Sequence, residues 1–142
     1  METQNKVVFA GFGRNTMQDI RQSFRGKKTE LLFEKDLETA RDLVASDFPD
    51  ILAVFVNISP KYIKGVSGVC GYISKTVSLI QDTLESSIPV IVSCPVKRHA
   101  VATLFRELDT KNGENFQVVW DIQTEYIPAL VENLSKRQEV FI

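Results

Sequence analysis

The segment Pro49-Asp50-Ile51-Leu52-Ala53-Val54-Phe55-Val56-Asn57-Ile58-Ser59-Pro60 most constrains how this chain folds. Ile51 to Val56 is an unbroken apolar run, rich in β-branched residues and too short for a helix. A run of that kind suits a strand covered on both faces, as in a parallel sheet between helical layers. It stops at Asn57, with Ser59 and Pro60 just beyond. In open parallel sheets ligands gather outside the carboxyl ends of the strands, so chemistry is expected at Asn57.

The rest of the chain alternates strands with helices. Lys6–Ala10 reads as a first strand, followed by the turn Gly11-Phe12-Gly13-Arg14-Asn15. Asn15 or Thr16 is expected to cap a helix that buries Met17, Ile20 and Phe24 and ends at Gly26 in a left-handed conformation. Thr29–Phe33 is a second strand, and Asp36 caps a helix with Leu37, Ala40, Leu43 and Val44 on one face. After the opening segment come Gly65, Gly68 and Gly71, then a helix carrying Ile73, Val77, Ile80 and Leu84, broken by Ser86-Ser87. Val90–Val92 is the fourth strand, tipped by Ser93, Cys94 and Pro95. Val101, Leu104, Phe105 and Leu108 have amphipathic helical spacing. Asn112-Gly113 marks a turn, Phe116–Trp120 the fifth strand, and Asp121 its tip. A last helix buries Ile127, Leu130, Val131 and Leu134, with Pro128 tolerable only in its first turn. This alternation predicts one three-layer α/β domain over residues 1–142, with a parallel sheet in the flavodoxin-like order 2-1-3-4-5. That order gathers the tips of strands one, three, four and five.

Composition narrows the function classes. A net charge of −1 gives no global electrostatic case for nucleic acid or an anionic membrane, although a local basic patch remains compatible with it. No apolar run approaches a bilayer span, and the polar start Met1–Lys6 does not resemble a signal peptide. Two cysteines make no disulfide framework, so a cytoplasmic location is expected.

Individual motifs are incomplete. Gly11-Phe12-Gly13, between a strand and a helix, has part of the dinucleotide fingerprint, and Glu34 and Asp36 lie where a ribose-binding acid is expected. The third glycine is Thr16, however, and paired glycines in such a turn commonly serve the turn alone. Arg14 is either a phosphate partner or a solvated loop residue. Gly65-x-x-Gly-x-x-Gly lacks the Gly-Lys-Ser/Thr ending of a P-loop and is expected to be a flexible connection, or a place where helix and sheet approach closely. Cys70 and Cys94 form a redox pair only if a neighbouring cation activates one thiol. Lys97, Arg98 and His99 follow Cys94, but two small buried hydrophobes is the simpler role. His99, the only histidine, has no metal-spaced partner, and Asp121 is the only carboxylate plainly at a strand tip. No metal, cofactor or catalytic group is implied.

Two phrases give the chain a family likeness. Pro49-Asp50-Ile51-Leu52 followed by Asn57-Ile58-Ser59-Pro60 resembles the receiver-domain pattern Pro-Asp-Leu-x-x-x-Asp-x-x-x-Pro of two-component signalling. Ile88-Pro89-Val90-Ile91-Val92-Ser93 is similar to the receiver strand that carries a conserved Thr or Ser, and the alternation of elements matches over residues 6–136. The resemblance implies an acidic pair after strand one for Mg²⁺, a phosphoacceptor aspartate at strand three, a Thr/Ser at strand four and a lysine at strand five. Here those positions hold Gly11-Phe12-Gly13, Asn57 (Val56 in the neighbouring register), Ser93 (or Cys94) and Trp120 or Asp121. Aspartyl phosphorylation needs a carboxylate nucleophile and cations to offset the phosphoryl charge, and an amide cannot replace the first.

The resemblance therefore implies a pseudo-receiver, a non-enzymatic signalling module that binds a protein partner or itself. The expected surface is that of the fourth helix, fifth strand and fifth helix, with Tyr126, Phe141 and Ile142 as apolar anchors. The alternative is a small-ligand or nucleotide-binding domain using Gly11, Gly13, Arg14, Asn57 and Ser93. The first reading expects a filled cleft, plugged by Phe12 or Trp120, and the second an open one faced by amides. In the first, Asn57 is a fixed hydrogen-bonding group that holds one conformation.

Overall fold

A computed structural model describes residues 6–47, 50–58, 66–94, 106, 115–120 and 122–140, with the backbone alone for 66–75, 120 and 137–140. The elements are β1 (Lys6–Ala10), α1 (Arg14–Ser23), β2 (Glu30–Glu34), α2 (Leu37–Asp47), β3 (Ile51–Asn57), α3 (Val66–Glu85), β4 (Val90–Cys94) and β5 (Phe116–Trp120). A single 3₁₀ turn, Thr124–Tyr126, then leads into α4 (Ile127–Val140). The sheet is parallel throughout, in the order β2-β1-β3-β4-β5. The expected order is thus observed, with β3 at its centre. Of the helix expected over Val101–Leu108 only Arg106 is described, and it is helical.

Strand alternation divides the core between the two faces. Val8, Ala10, Val54, Val56, Val90 and Val92 pack with Leu37, Ala40 and Val44 of α2 and with Leu79 and Ile80 of α3. Val7, Phe9, Ala53, Phe55 and Ile91 face Ile20 and Phe24, from α1 and its C-cap, and Ile127, Val131 and Leu134 of α4. Phe9 organises this second face. Its ring stacks on Phe33 and on Phe55 at centroid distances of 5.1 Å, and meets Phe12 and Phe24 edge-on at 5.8 and 6.4 Å. Each such pair adds about 0.5–1.5 kcal/mol beyond the burial of its area.

Several boundaries differ from expectation for local reasons. Gly13 is the N-cap of α1, with extended backbone (φ −74°, ψ 165°) and no side-chain cap, so Asn15 and Thr16 lie inside the helix. The Met17 N–H closes the first turn onto the Gly13 carbonyl at 2.9 Å. Helix α3 begins at Val66 and runs through Gly68 and Gly71, so those two glycines belong to a helix and not to a flexible connection. Each glycine costs about 1 kcal/mol relative to alanine. The buried face farther along α3, Thr76, Leu79, Ile80 and Thr83, helps offset that cost. Its deepest stripe thus passes through two threonines, while Val77 and Leu84 are only half-buried. The Thr83 hydroxyl donates to the Leu79 carbonyl at 2.6 Å, which lets it sit in the core.

Other signals operate as read. Asp36 caps α2, accepting from the Glu38 N–H at 3.4 Å and the Thr39 hydroxyl at 2.9 Å. Gly26 has φ 80°, and Pro128 occupies the first turn of α4. Arg41 and Asp82 tie α2 to α3 across the surface. Lys27 pairs with Glu132 at 3.0 Å, and this bond lowers the Glu132 carboxyl pKa. The pair's contribution is present above the unfolded carboxyl pKa and is lost as pH falls through the folded one. Both groups are exposed, so the contribution is small.

The end of α3 gives a direct test of backbone strain. Ser87 has φ 62°, between a 2.9 Å bond from its N–H to the Leu84 carbonyl and a 3.2 Å bond from the Ile88 N–H to the Thr83 carbonyl. This left-handed cap suits glycine, and Ser87 is exposed. Ser87→Gly is expected to stabilise the fold by about 0.5–1 kcal/mol, read as a higher urea midpoint at unchanged slope.

Candidate functional site

The carboxyl ends of β1, β3 and β4 are joined by hydrogen bonds that continue the sheet past its last residues. The Gly11 N–H donates to the Glu34 carbonyl at 2.9 Å, tying the tip of β1 to that of β2. The Asn57 Nδ2 donates to the Gly11 carbonyl at 3.1 Å, tying β3 to β1. The Ile58 N–H donates to the Ser93 carbonyl at 2.9 Å, tying β3 to β4. Asn57 stands opposite Ser93 in the ladder, and Cys94 opposite Trp120.

Backbone geometry explains the choice of residues. Gly11 has φ 79°, a left-handed conformation that a side chain disfavours, and this turn presents its carbonyl to Asn57. An amide is the group that fits, because Nδ2 is a donor and a carboxylate at that position would only accept. Val56 is fully buried in the aliphatic core, which leaves Asn57 as the residue at the mouth of the strand.

The remaining positions supply little chemistry. Phe12 is 3% exposed and packs edge-on against Phe9 in the aromatic face, so its ring fills core and does not lie across the tips. Gly13 caps α1, and a Cβ added there would meet nothing within 4 Å, so no close approach demands a glycine. That removes one physical reason to read the turn as a dinucleotide cradle. Asp36, one of the two candidate ribose acids, is used as the cap of α2. Arg14 is exposed at the start of α1. Ser93 is 4% exposed, and Cys94 is a fully buried residue within the aliphatic core, as a small hydrophobe would be. Trp120 lies in β5, its side chain outside the described residues, as are Asp121, Phe141 and Ile142. Among the described residues no three His, Cys, Asp or Glu side chains cluster as a metal site would require.

A separate concavity lies at the β5 edge. A groove of about 390 Å³ runs between β5 and α4, lined by Gln117, Val119, Ile122, Tyr126, Leu130 and Asn133 among others. Tyr126, 61% exposed, stands on its rim. Of this group only Tyr126 stood out in the sequence as a surface anchor. Val119 reads as part of the fifth strand and Leu130 as a buried position of the last helix, and nothing in the spacing of either marks a groove.

No protein-family model matches the sequence, and no curated protein sequence matches it either. Solved structures do match its architecture. The signal receiver domain of a Luxo repressor protein from Vibrio parahaemolyticus superposes with a TM-score of 0.66 at 9% identity, over 96% of this chain and 94% of that one. A Francisella response-regulator receiver domain gives 0.63 at 17% identity, over 94% of this chain and 98% of its own. A de novo designed Rossmann 2x3 protein gives 0.61 at 13% identity, over 94% and 90%. The chain therefore shares the receiver and Rossmann-like architecture.

Substitutions at Asn57 test the tip geometry. Asn57→Ala is expected to lower stability by about 1 kcal/mol through loss of the bond to Gly11. Asn57→Asp is expected to cost more at neutral pH, where its carboxylate faces a carbonyl oxygen. Its folded pKa is then raised above about 3.9, so stability falls as pH rises through the carboxylate range and recovers below it. Urea unfolding across pH reads both effects.

Proposed function

We propose that this chain is a pseudo-receiver, a non-enzymatic signalling module that works through protein contacts and is not switched by aspartyl phosphorylation. One observation carries the reading: at the tip of the central strand an amide, Asn57, is fixed onto the Gly11 carbonyl. A receiver with its phosphoacceptor aspartate at this tip would need that position free to attack a phosphoryl donor. The likeness to receiver structures supports the architecture of such a module. The buried Phe12 and the glycines beside it support the absence of an acidic pair.

The Asn57 bond favours this reading over a small-ligand cleft, since the amide that would meet a ligand is engaged within the sheet. The groove between β5 and α4, rimmed by Tyr126, supports a contact surface for a protein partner or a second copy. It belongs to the fifth strand and last helix named in the sequence expectation.

Two measurements test the proposal. Incubation with acetyl phosphate and Mg²⁺, read by intact mass, is expected to give no stoichiometric acid-labile adduct. A stoichiometric adduct overturns the reading. Tyr126→Ala is expected to leave stability within about 0.5 kcal/mol of the parent, because the ring is largely exposed. The same variant is expected to weaken association through the groove, read by sedimentation velocity.

A further inference from the structure

The opposite edge of the sheet carries a second surface. β2 is an edge strand, paired only with β1 among the described strands. Its residues Leu31, Leu32 and Phe33 are each half-buried. The direction of its free backbone groups follows from one hydrogen bond. The Glu34 carbonyl accepts from the Gly11 N–H, so Glu34 points inward, and by strand alternation Leu31 and Phe33 turn their N–H and C=O groups outward. Their side chains lie on the aromatic face, beside α1, and Leu32 lies on the other. Glu30 and Glu34 share the parity of Leu32 and so project away from α1.

Above this edge α1 presents an exposed cationic stripe. Arg14, Gln18 and Arg21 follow at i, i+4 and i+7 on α1, and Arg25 and Lys28 lie in the segment just after its C-cap Phe24, all exposed. Asp19, the one acid between Arg14 and Lys28, lies roughly 140° round the helix from Arg14. The stripe overlooks β2, because the Arg21 guanidinium sits 4.6 Å above the centre of the Phe33 ring. Among the described residues Arg14, Arg21, Arg25 and Lys28 have no ion pair.

We infer that the β2 edge receives an extended acidic segment of a partner protein, which adds as a sixth strand with alternate carboxylates under the α1 stripe. The two halves of the surface ask for the same ligand. A row of outward amides and carbonyls is matched by another strand's backbone, at a spacing of about 4.8 Å. The cationic stripe over one face is matched by acids at every second residue. Nucleic acid or a lipid surface answers the charge without answering the backbone row. A second copy of this chain answers the backbone row but sets stripe against stripe. Lysines flanking an exposed edge commonly prevent self-pairing, and Lys28 and Lys35 serve that end here while attracting an acidic strand. This surface is independent of the groove at β5.

The test is fluorescence anisotropy of a labelled alternating aspartate–valine peptide titrated with the full chain. Binding is expected, weakened at least about tenfold by Arg21→Glu with Arg25→Glu. The single Arg25→Glu is expected to weaken it in the same direction without disturbing the contact to Phe33. Methylating one alternate set of peptide amides should abolish binding, and methylating the other set should leave it. No binding, equal binding of both methylated peptides, or an unchanged affinity in the charge-reversed variants overturns the inference. Concentration-dependent dimerisation that persists in Tyr126→Ala, and so does not run through the groove, and that the peptide fails to reverse also overturns it, because a second copy then holds the edge.

Discussion

Everything in this fold hangs on a central strand with no side open to water. Residues Ile51 to Val56 of β3 are all buried, with helices on both faces and a strand on either side. That enclosure forces a parallel sheet, because only crossover connections bring helices onto both faces. It also gives the strand one outlet, its carboxyl end, where Asn57 emerges. The side chain there must satisfy its hydrogen bonds within the sheet or among the loops above it, and the Gly11 carbonyl is one partner it meets. The link between β1 and β3 is thus a consequence of burying β3.

This dependence explains what the sequence made readable. Strand runs such as Ile51–Val56 and Val90–Val92 are legible because double-sided burial leaves no polar residue within them. The Asp36 cap and the Gly26 stop are legible because each meets a local backbone need through its own chemistry. The start of α1 is not legible, since Gly13 caps it by conformation alone while Asn15 and Thr16 are better formal candidates. The inner face of α3 is hidden for a related reason. Thr76 and Thr83 are polar by type, but Thr83 returns its hydroxyl to the Leu79 carbonyl and behaves as a core residue. The groove at β5 arises from two elements distant in sequence, and periodicity within either cannot show it.

Architecture and function separate cleanly here. A designed protein with no natural lineage shares this architecture about as well as a bacterial receiver domain does. The shape alone therefore carries no activity, and any function must be argued from particular atoms. At the strand tips those atoms are an amide donor and a left-handed glycine. They make a joint between strands, whereas the edges of the sheet offer surfaces of contrasting character. One is a neutral groove rimmed by an exposed tyrosine, the other the β2 edge, paired among the described strands only with β1 and lying beneath Arg21.

The two core faces differ in a way that bears on descent. One is largely Val, Ala, Leu and Ile, whose volumes interchange with modest repacking. The other is built around Phe9, whose ring touches four other phenylalanine rings at fixed angles, so a change in one disturbs the rest. Sequence drift should thus run faster on the aliphatic side. Over long divergence the set Phe9, Phe12, Phe24, Phe33 and Phe55 is expected to change together or not at all, which would make it a better tracer of distant kin than any residue at the strand tips.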